Sequence, residues 1–232
     1  MLADRLLKEV FSFDLSKAKL PKDIQVLDPF NGENAEQVRH IVELFHRKFY
    51  SDEQSRMLML GINPGRLGAG STGICFTDTK RCEADLGIAV EGMRTHEPSS
   101  DFIYRVVRAA GGAEAFYSRV YVQALCPLGF TRMGAKGSHL NLNYYDDAAL
   151  QKAITPVVVQ WLKDLIATGL RTDVMACIGT GKNLAFLTKL NDQHGFFERI
   201  IPLEHPRFVM QYKFKSLEMY IDRYLAALVE AE

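Results

Sequence analysis

Met57-Leu58-Met59-Leu60-Gly61-Ile62-Asn63-Pro64-Gly65-Arg66-Leu67-Gly68 carries an unbroken apolar run into a sharp stop. Three glycines and one proline fall within the eight residues from Gly61 to Gly68. A buried strand ends in this way where its backbone must come close to a ligand, because glycine adds no side chain and permits conformations closed to other residues. A second break of the same kind lies downstream, where Arg199-Ile200-Ile201-Pro202-Leu203 runs into Glu204-His205-Pro206-Arg207. An asparagine amide and an imidazole then stand at the ends of two strands. We read Asn63 and His205 as the centre of an active site.

Working outward, apolar runs alternate with helical periodicity. Val38, Ile41, Val42, Leu44, Phe45 and Phe49 recur at helical spacing over Glu36 to Phe49, with Asn34 placed as N-cap. A first strand spans Arg56 to Gly61, and an irregular region rich in Gly, Thr and Asp reaches Ser99. Structureless segments of that length are uncommon in compact domains and usually functional. A helix over Asp101 to Ala110 ends at Gly111-Gly112, and a second strand, Arg119 to Gln123, stops near Cys126-Pro127. A polar loop, Met133 to Tyr145, leads to a helix from Ala148 to Ala167 that Thr155-Pro156 can bend. A third strand, Asp173 to Ile178, turns through Gly179-Thr180-Gly181-Lys182 into a helix over Asn183 to Leu190. A fourth strand, Arg199 to Pro202, and a last helix, Ser216 to Glu230, follow. The alternation predicts one α/β domain over residues 1–232, a three-layer α/β/α arrangement around a central four-stranded parallel sheet. Ligands of such folds bind beyond the carboxyl ends of the strands, and every suggestive loop here lies there.

The chain has 232 residues, 47% hydrophobic and 24% charged, the profile of a globular protein. Its 28 basic and 28 acidic residues balance, so composition alone offers no support for a nucleic-acid partner, although a local basic face is compatible with a balanced total. Cys75, Cys82, Cys126 and Cys177 form no Cys-x-x-Cys pair, which argues against a zinc or iron–sulfur centre and for reduced thiols in a cytoplasmic protein. The first nine residues mix charges into apolar positions and do not make a signal peptide. No apolar run approaches the roughly 20 residues a membrane span needs.

Each motif has two readings. Asn63-Pro64-Gly65 is a tight turn or a functional strand end, and an amide is a poor general base: it orients water better than it deprotonates it. His205 is a structural histidine or a group that stabilises charge developing on a leaving group. Gly179-Thr180-Gly181-Lys182 lacks the spacing of a P-loop, and a helix N-terminus meeting one DNA phosphate is the more plausible role. Phe76, among small and polar residues, is a core anchor or a stacking platform for a base. Arg207 to Lys213, read as a loop, combines cations with large apolar groups; it is a wedge for a gap in a base stack, or it packs on the last helix.

These residues resemble the uracil-DNA glycosylase superfamily, and within it the single-strand-selective monofunctional (SMUG-type) enzymes. That family's Gly-Met-Asn-Pro-Gly-Pro-Phe-Gly stands here as Gly61-Ile62-Asn63-Pro64-Gly65-Arg66-Leu67-Gly68. Its Thr-Gly-Val-Pro-Phe-Gly is matched by Thr72 to Thr77, its Cys-Pro-Leu by Cys126-Pro127-Leu128 and its His-Pro by His205-Pro206. The likeness runs in order over roughly residues 35 to 225. It implies hydrolysis of the N-glycosidic bond of uracil, or of a related damaged base, in single- or double-stranded DNA, without metal or other cofactor, by a monomer. Asn63 would position water, His205 would donate to a uracil carbonyl oxygen, and Phe76 would stack on the flipped base. Ile62, Gly65, Gly68 and Ala124 would complete the base site. Arg66, Arg207, Phe208, Val209 and Met210 would meet the DNA, with no wedge residue singled out.

The chain departs from the family pattern at three places. Ala124 replaces the asparagine that reads uracil, and the adjacent Gln123 points elsewhere by strand alternation. Arg207-Phe208-Val209 replaces Ser-Pro-Arg after the His-Pro pair, and Arg66 replaces a proline. Two other functions compete: a non-catalytic binder of damaged or single-stranded DNA, and an α/β enzyme acting on free nucleosides or nucleotides.

Overall fold

A computed structural model describes residues 1–134 and 137–231. In chain order the elements are α1 (Leu2–Ser12), β1 (Ile24–Leu27), α2 (Ala35–Phe49), β2 (Met57–Gly61), α3 (Ala69–Thr72), α4 (Thr79–Ala84), α5 (Pro98–Ala109), α6 (Ala113–Tyr117), β3 (Val120–Ala124), β4 (Gly129–Met133), β5 (His139–Leu142), α7 (Ala148–Ala167), β6 (Val174–Ile178), α8 (Lys182–His194), β7 (Arg199–Leu203), α9 (Pro206–Tyr212) and α10 (Leu217–Val229).

The four strands read from the sequence form one parallel sheet in the order β3-β2-β6-β7. Every residue of β2, β3 and β6 is buried, which is why these strands are continuous apolar runs rather than alternating ones. Edge strand β7 is partly exposed and tolerates Pro202, because one side of an edge strand has no ladder for a missing N–H to break. Helices flank the sheet: α1 packs on α2 and α7, and α5 packs on α9 and α10. No helix of the described residues is long and apolar enough to cross a membrane.

A second sheet was not expected. β1, β4 and β5 make a three-stranded antiparallel sheet in the order β1-β4-β5. The polar loop expected over Met133 to Tyr145, of which residues 135 and 136 lie outside the described residues, therefore contains β5. Two of the four residues of β5 are exposed, so the strand lacks the apolar run that marks a buried one. The irregular region before Ser99 likewise holds α3 and α4, the latter capped by Asp78 accepting from the Arg81 N–H at 3.0 Å. Helix α5 begins three residues earlier than expected, with Pro98 in its first turn. Asn34 occupies the N-cap position of α2 but its side chain makes no cap bond, and Leu44 faces solvent rather than the core. Helix α7 runs unbroken through Pro156. The segment after His205 is helix α9, not a loop: Pro206 starts it, and the His205 ring caps it by accepting from the Arg207 N–H at 3.2 Å.

The entry to β2 is tied down by a buried cation. Arg56 is 1% exposed; its guanidinium donates to the Tyr117 carbonyl at 3.0 Å, to the Gln54 carbonyl at 2.7 Å and to Asp52 at 2.7 Å. Arg56→Ala strands two carbonyls and a carboxylate and is expected to lower unfolding free energy by about 3 kcal/mol. Asp52→Asn, at a half-exposed site, should cost less than about 1 kcal/mol. Urea denaturation of the two variants measures both.

Candidate active site

The site grows from the carboxyl end of β2. Pairing with the next strand continues past the last residue of β2, as Leu125 N–H donates to the Gly61 carbonyl at 3.0 Å and Cys126 N–H to the Ile62 carbonyl at 3.1 Å. Backbone on this side is thus fixed up to Asn63. The Asn63 side chain is then held from the other side by β5 and the residues after it. Its Nδ2 donates to the Leu142 carbonyl at 3.1 Å, and its Oδ1 accepts from the Tyr144 N–H at 2.9 Å. This clamp sets which way the amide faces.

Phe76 has φ 52°, a left-handed conformation unusual for a bulky residue. Neighbouring bonds hold it there: Thr72 Oγ1 donates to the Thr77 carbonyl at 2.6 Å, and Thr77 Oγ1 meets the Tyr104 hydroxyl at 2.9 Å. The ring lies over Gly61, where a Cβ would stand 2.8 Å from Phe76 Cζ. Gly61 is therefore glycine because the phenyl ring occupies its side-chain space. The same ring meets His205 edge-on, centroids 5.7 Å apart.

His205 reaches this point from the end of β7. Its Nδ1 accepts the α9 cap bond, so in the neutral ring the proton sits on Nε2, free to donate. Burial, and secondarily the charge of Arg207, push its pKa down to about 4, so the ring is neutral at pH 7.

Asn63, Phe76 and His205 line one cleft of about 500 Å³ with Ile62, Gly65 and Ala124. Arg207 and Phe208 stand exposed on its wall, and the turn from Gly179 to Lys182 closes another side. Ala124 is 4% exposed, and the adjacent Gln123 is turned away as alternation required. The Gln123 Oε1 accepts from the Cys75 thiol and from Ala124 N–H, and its Nε2 donates to the Tyr121 hydroxyl. It is buried among these partners and is not on the cleft lining. Gly179 to Lys182 is no P-loop: the turn is closed from behind by buried Asn183, which donates to the Ile178 carbonyl at 3.1 Å.

Other expected residues fall elsewhere. Gly68 is off the cleft lining, and its side-chain space holds the Glu97 carboxylate, 2.0 Å from where a Cβ would lie. Val209 is fully buried, which removes it as a wedge, and Met210 packs partly against the core. Helical periodicity explains both, since α9 turns these positions inward while Phe208 and Tyr212 face out. Arg66 is exposed beside the cleft and donates to Asn141 at 3.2 Å.

Sequence reasoning missed Glu97, Asn141 and Tyr145, all on the lining. Asn141 sits on the unrecognised β5. Glu97 lies in the irregular region, where no spacing relates it to Asn63. Burial, then the nearby Asp78, push the Glu97 carboxyl up to about 7, with Arg207 opposing.

No curated protein matches the chain. A solved structure does: wild-type SMUG2 of Pedobacter heparinus is 47% identical, with a TM-score of 0.95 over 99% of this chain and 97% of that one. The family model of the uracil DNA glycosylase superfamily matches residues 47–229. With most of its length inside that match, the chain belongs to the uracil DNA glycosylase superfamily.

Proposed function

We propose that the protein is a monofunctional DNA glycosylase that hydrolyses the N-glycosidic bond of uracil in DNA and so initiates base excision repair, acting as a single-domain cytoplasmic monomer. Other deaminated or oxidised bases are secondary substrates of the same site. The observation that carries this is the convergence of Asn63, Phe76 and a neutral His205 on one cleft. The high identity to a SMUG2 enzyme supports it.

The geometry supports the following roles. A target base cannot be reached inside a duplex, so it is extruded into the cleft or taken from single-stranded DNA. Phe76 offers its face to the base, with Ile62, Gly65 and Ala124 around it. Asn63, its amide fixed by Leu142 and Tyr144, uses the remaining lone pair of Oδ1 to orient water at C1′ of the sugar. His205 Nε2–H donates to a carbonyl oxygen of uracil as the base leaves as an anion. A neutral imidazole gives a strong hydrogen bond there without handing over its proton early. Arg66, Arg207 and Lys182, all exposed, meet phosphates in this reading, and the exposed Phe208 ring fills the gap left by an extruded base. Hydrolysis by water needs no amine nucleophile, so the strand stays intact until alkali cleaves the abasic site.

Ala124 offers no base-edge hydrogen bonds, which is the specific observation favouring a non-catalytic binder of damaged DNA. Turnover separates the two. A uracil-containing oligonucleotide, incubated in EDTA and then treated with alkali, is expected to be cut at uracil; binding without cutting would favour the binder. Asn63→Ala and His205→Ala should each slow excision on the order of 10²–10³-fold, the scale of one preorganised electrostatic group. Wild-type rates in both variants would refute the assignment.

Phe208→Ala removes the group that fills a vacated stack, a need that arises in duplex DNA and not in a single strand. Excision from duplex should fall about tenfold, as expected from a stacking contact, with single-strand excision little changed. Equal losses on both substrates would sink the wedge role.

A further inference from the structure

We infer that Glu97 is a further catalytic residue of this site, the base that takes the proton of the water held by Asn63. The inference rests on the glycosylase function proposed above.

The site has a proton to place and few groups to take it. Both polar atoms of the Asn63 amide are held by backbone, and an amide does not accept a proton near neutral pH. His205 serves the departing base and binds a proton only in acid. Glu97 is the one carboxylate among the described residues that line the cleft.

Its placement is built. The Glu97 backbone stands at the N-cap of α5, and its N–H donates to the Asp78 carboxylate at 2.9 Å. Asp78 is itself fully buried. From there the side chain reaches back to the Asn63 loop. Its Oε1 lies 3.3 Å from where a Cβ on Gly65 would be, and its Oε2 2.0 Å from one on Gly68. Two of the glycines after Asn63 are therefore the seat of this carboxylate, and any side chain at Gly68 would evict it. No described residue donates a hydrogen bond to either oxygen, and the residue lines the cleft.

The charges around it are Asp78 behind, Arg207 across the cleft and the neutral thiol of Cys75 nearby. Burial and Asp78 raise the carboxyl to about 7, while Arg207 acts the other way. A base with a pKa close to working pH is well matched to general base catalysis. The step balances. The water oxygen bonds to C1′, the C1′–N1 bond breaks, and its electron pair leaves with uracil as an anion. One water proton moves to Glu97, which becomes the neutral acid, and the other stays in the new hydroxyl of the sugar.

The test is single-turnover excision of uracil over about pH 5 to 9 by wild type, Glu97→Gln and Glu97→Asp, with binding to an abasic-analogue oligonucleotide measured by anisotropy. The ionised form is the active one, so the wild-type rate should rise through about pH 7 to a plateau and fall as pH drops. Glu97→Gln should lose on the order of 10²-fold and flatten that limb, with binding unchanged, and Glu97→Asp should restore part of the rate. A Glu97→Gln enzyme at the wild-type rate, or a slower one that keeps the wild-type limb, overturns the inference. If Glu97→Gln does not fold, Gly68→Ala carries the test by displacing the carboxylate. It should cut the rate and move the limb, and a wild-type profile there overturns the inference as well. A wild type that excises no uracil overturns the glycosylase function instead.

Discussion

The amide of Asn63, bonded to the Leu142 carbonyl and the Tyr144 N–H, is the contact on which the rest of the site depends. It ties the end of β2, in the parallel sheet, to the end of β5, in the antiparallel one. A loop after a strand would otherwise sample many arrangements, and a water-orienting group held 1 Å out of place loses most of its effect. Here the backbone is fixed on one side by β3-type pairing through Leu125 and Cys126, and the side chain on the other by β5. The small second sheet thus has a reason to exist: it supplies the wall that points the amide.

Low polarity around that amide moves two ionisable groups in opposite directions. Burial takes His205 down to about 4 and Glu97 up to about 7. Both shifts favour the neutral form, because a charge removed from water must find compensation. The imidazole finds none and stays neutral. The carboxyl sits between Asp78, which opposes its ionisation, and Arg207, which favours it. DNA phosphates arriving at the cleft would add to the field of Asp78. One environment therefore leaves a neutral hydrogen-bond donor at His205 and, in the role inferred for it, a proton acceptor at Glu97.

Much of this was legible in the sequence, for physical reasons that differ by element. Strands β2, β3 and β6 are buried on both faces and so spell out apolar runs. Asn63 and His205 stand where those runs and that of β7 break, and the parallel topology brings such breaks to one edge. β5 was not legible, because a half-exposed four-residue strand has too little apolar content to show. Glu97 was not legible because its partnership with Gly65 and Gly68 is made by folding, across about thirty residues whose only regular elements are the short helices α3 and α4. The glycines in the sequence suggest room for a ligand, whereas Gly61 makes room for Phe76 and Gly68 for Glu97. A glycine shows that space is needed and does not show what fills it.

The balanced charge of the chain resolves in the same way, by location. Many cations are already paired with carboxylates: Arg108 with Asp85, Arg132 with Asp23 and Asp147, Arg171 with Asp173, Arg199 with Glu230. The one-to-one pairs contribute little at a distance, because each is close to neutral beyond the screening length of about 8–10 Å, and the Arg132 group carries one net negative charge. Arg207 on the cleft wall has no ion pair among the described residues, and Arg66 spends one donor on a neutral amide, Asn141. Lys182 is only loosely paired, 4.0 Å from Asp146. What a phosphate meets at the cleft is set by these three cations and not by the sum over the chain. A total of zero is thus compatible with a locally positive mouth.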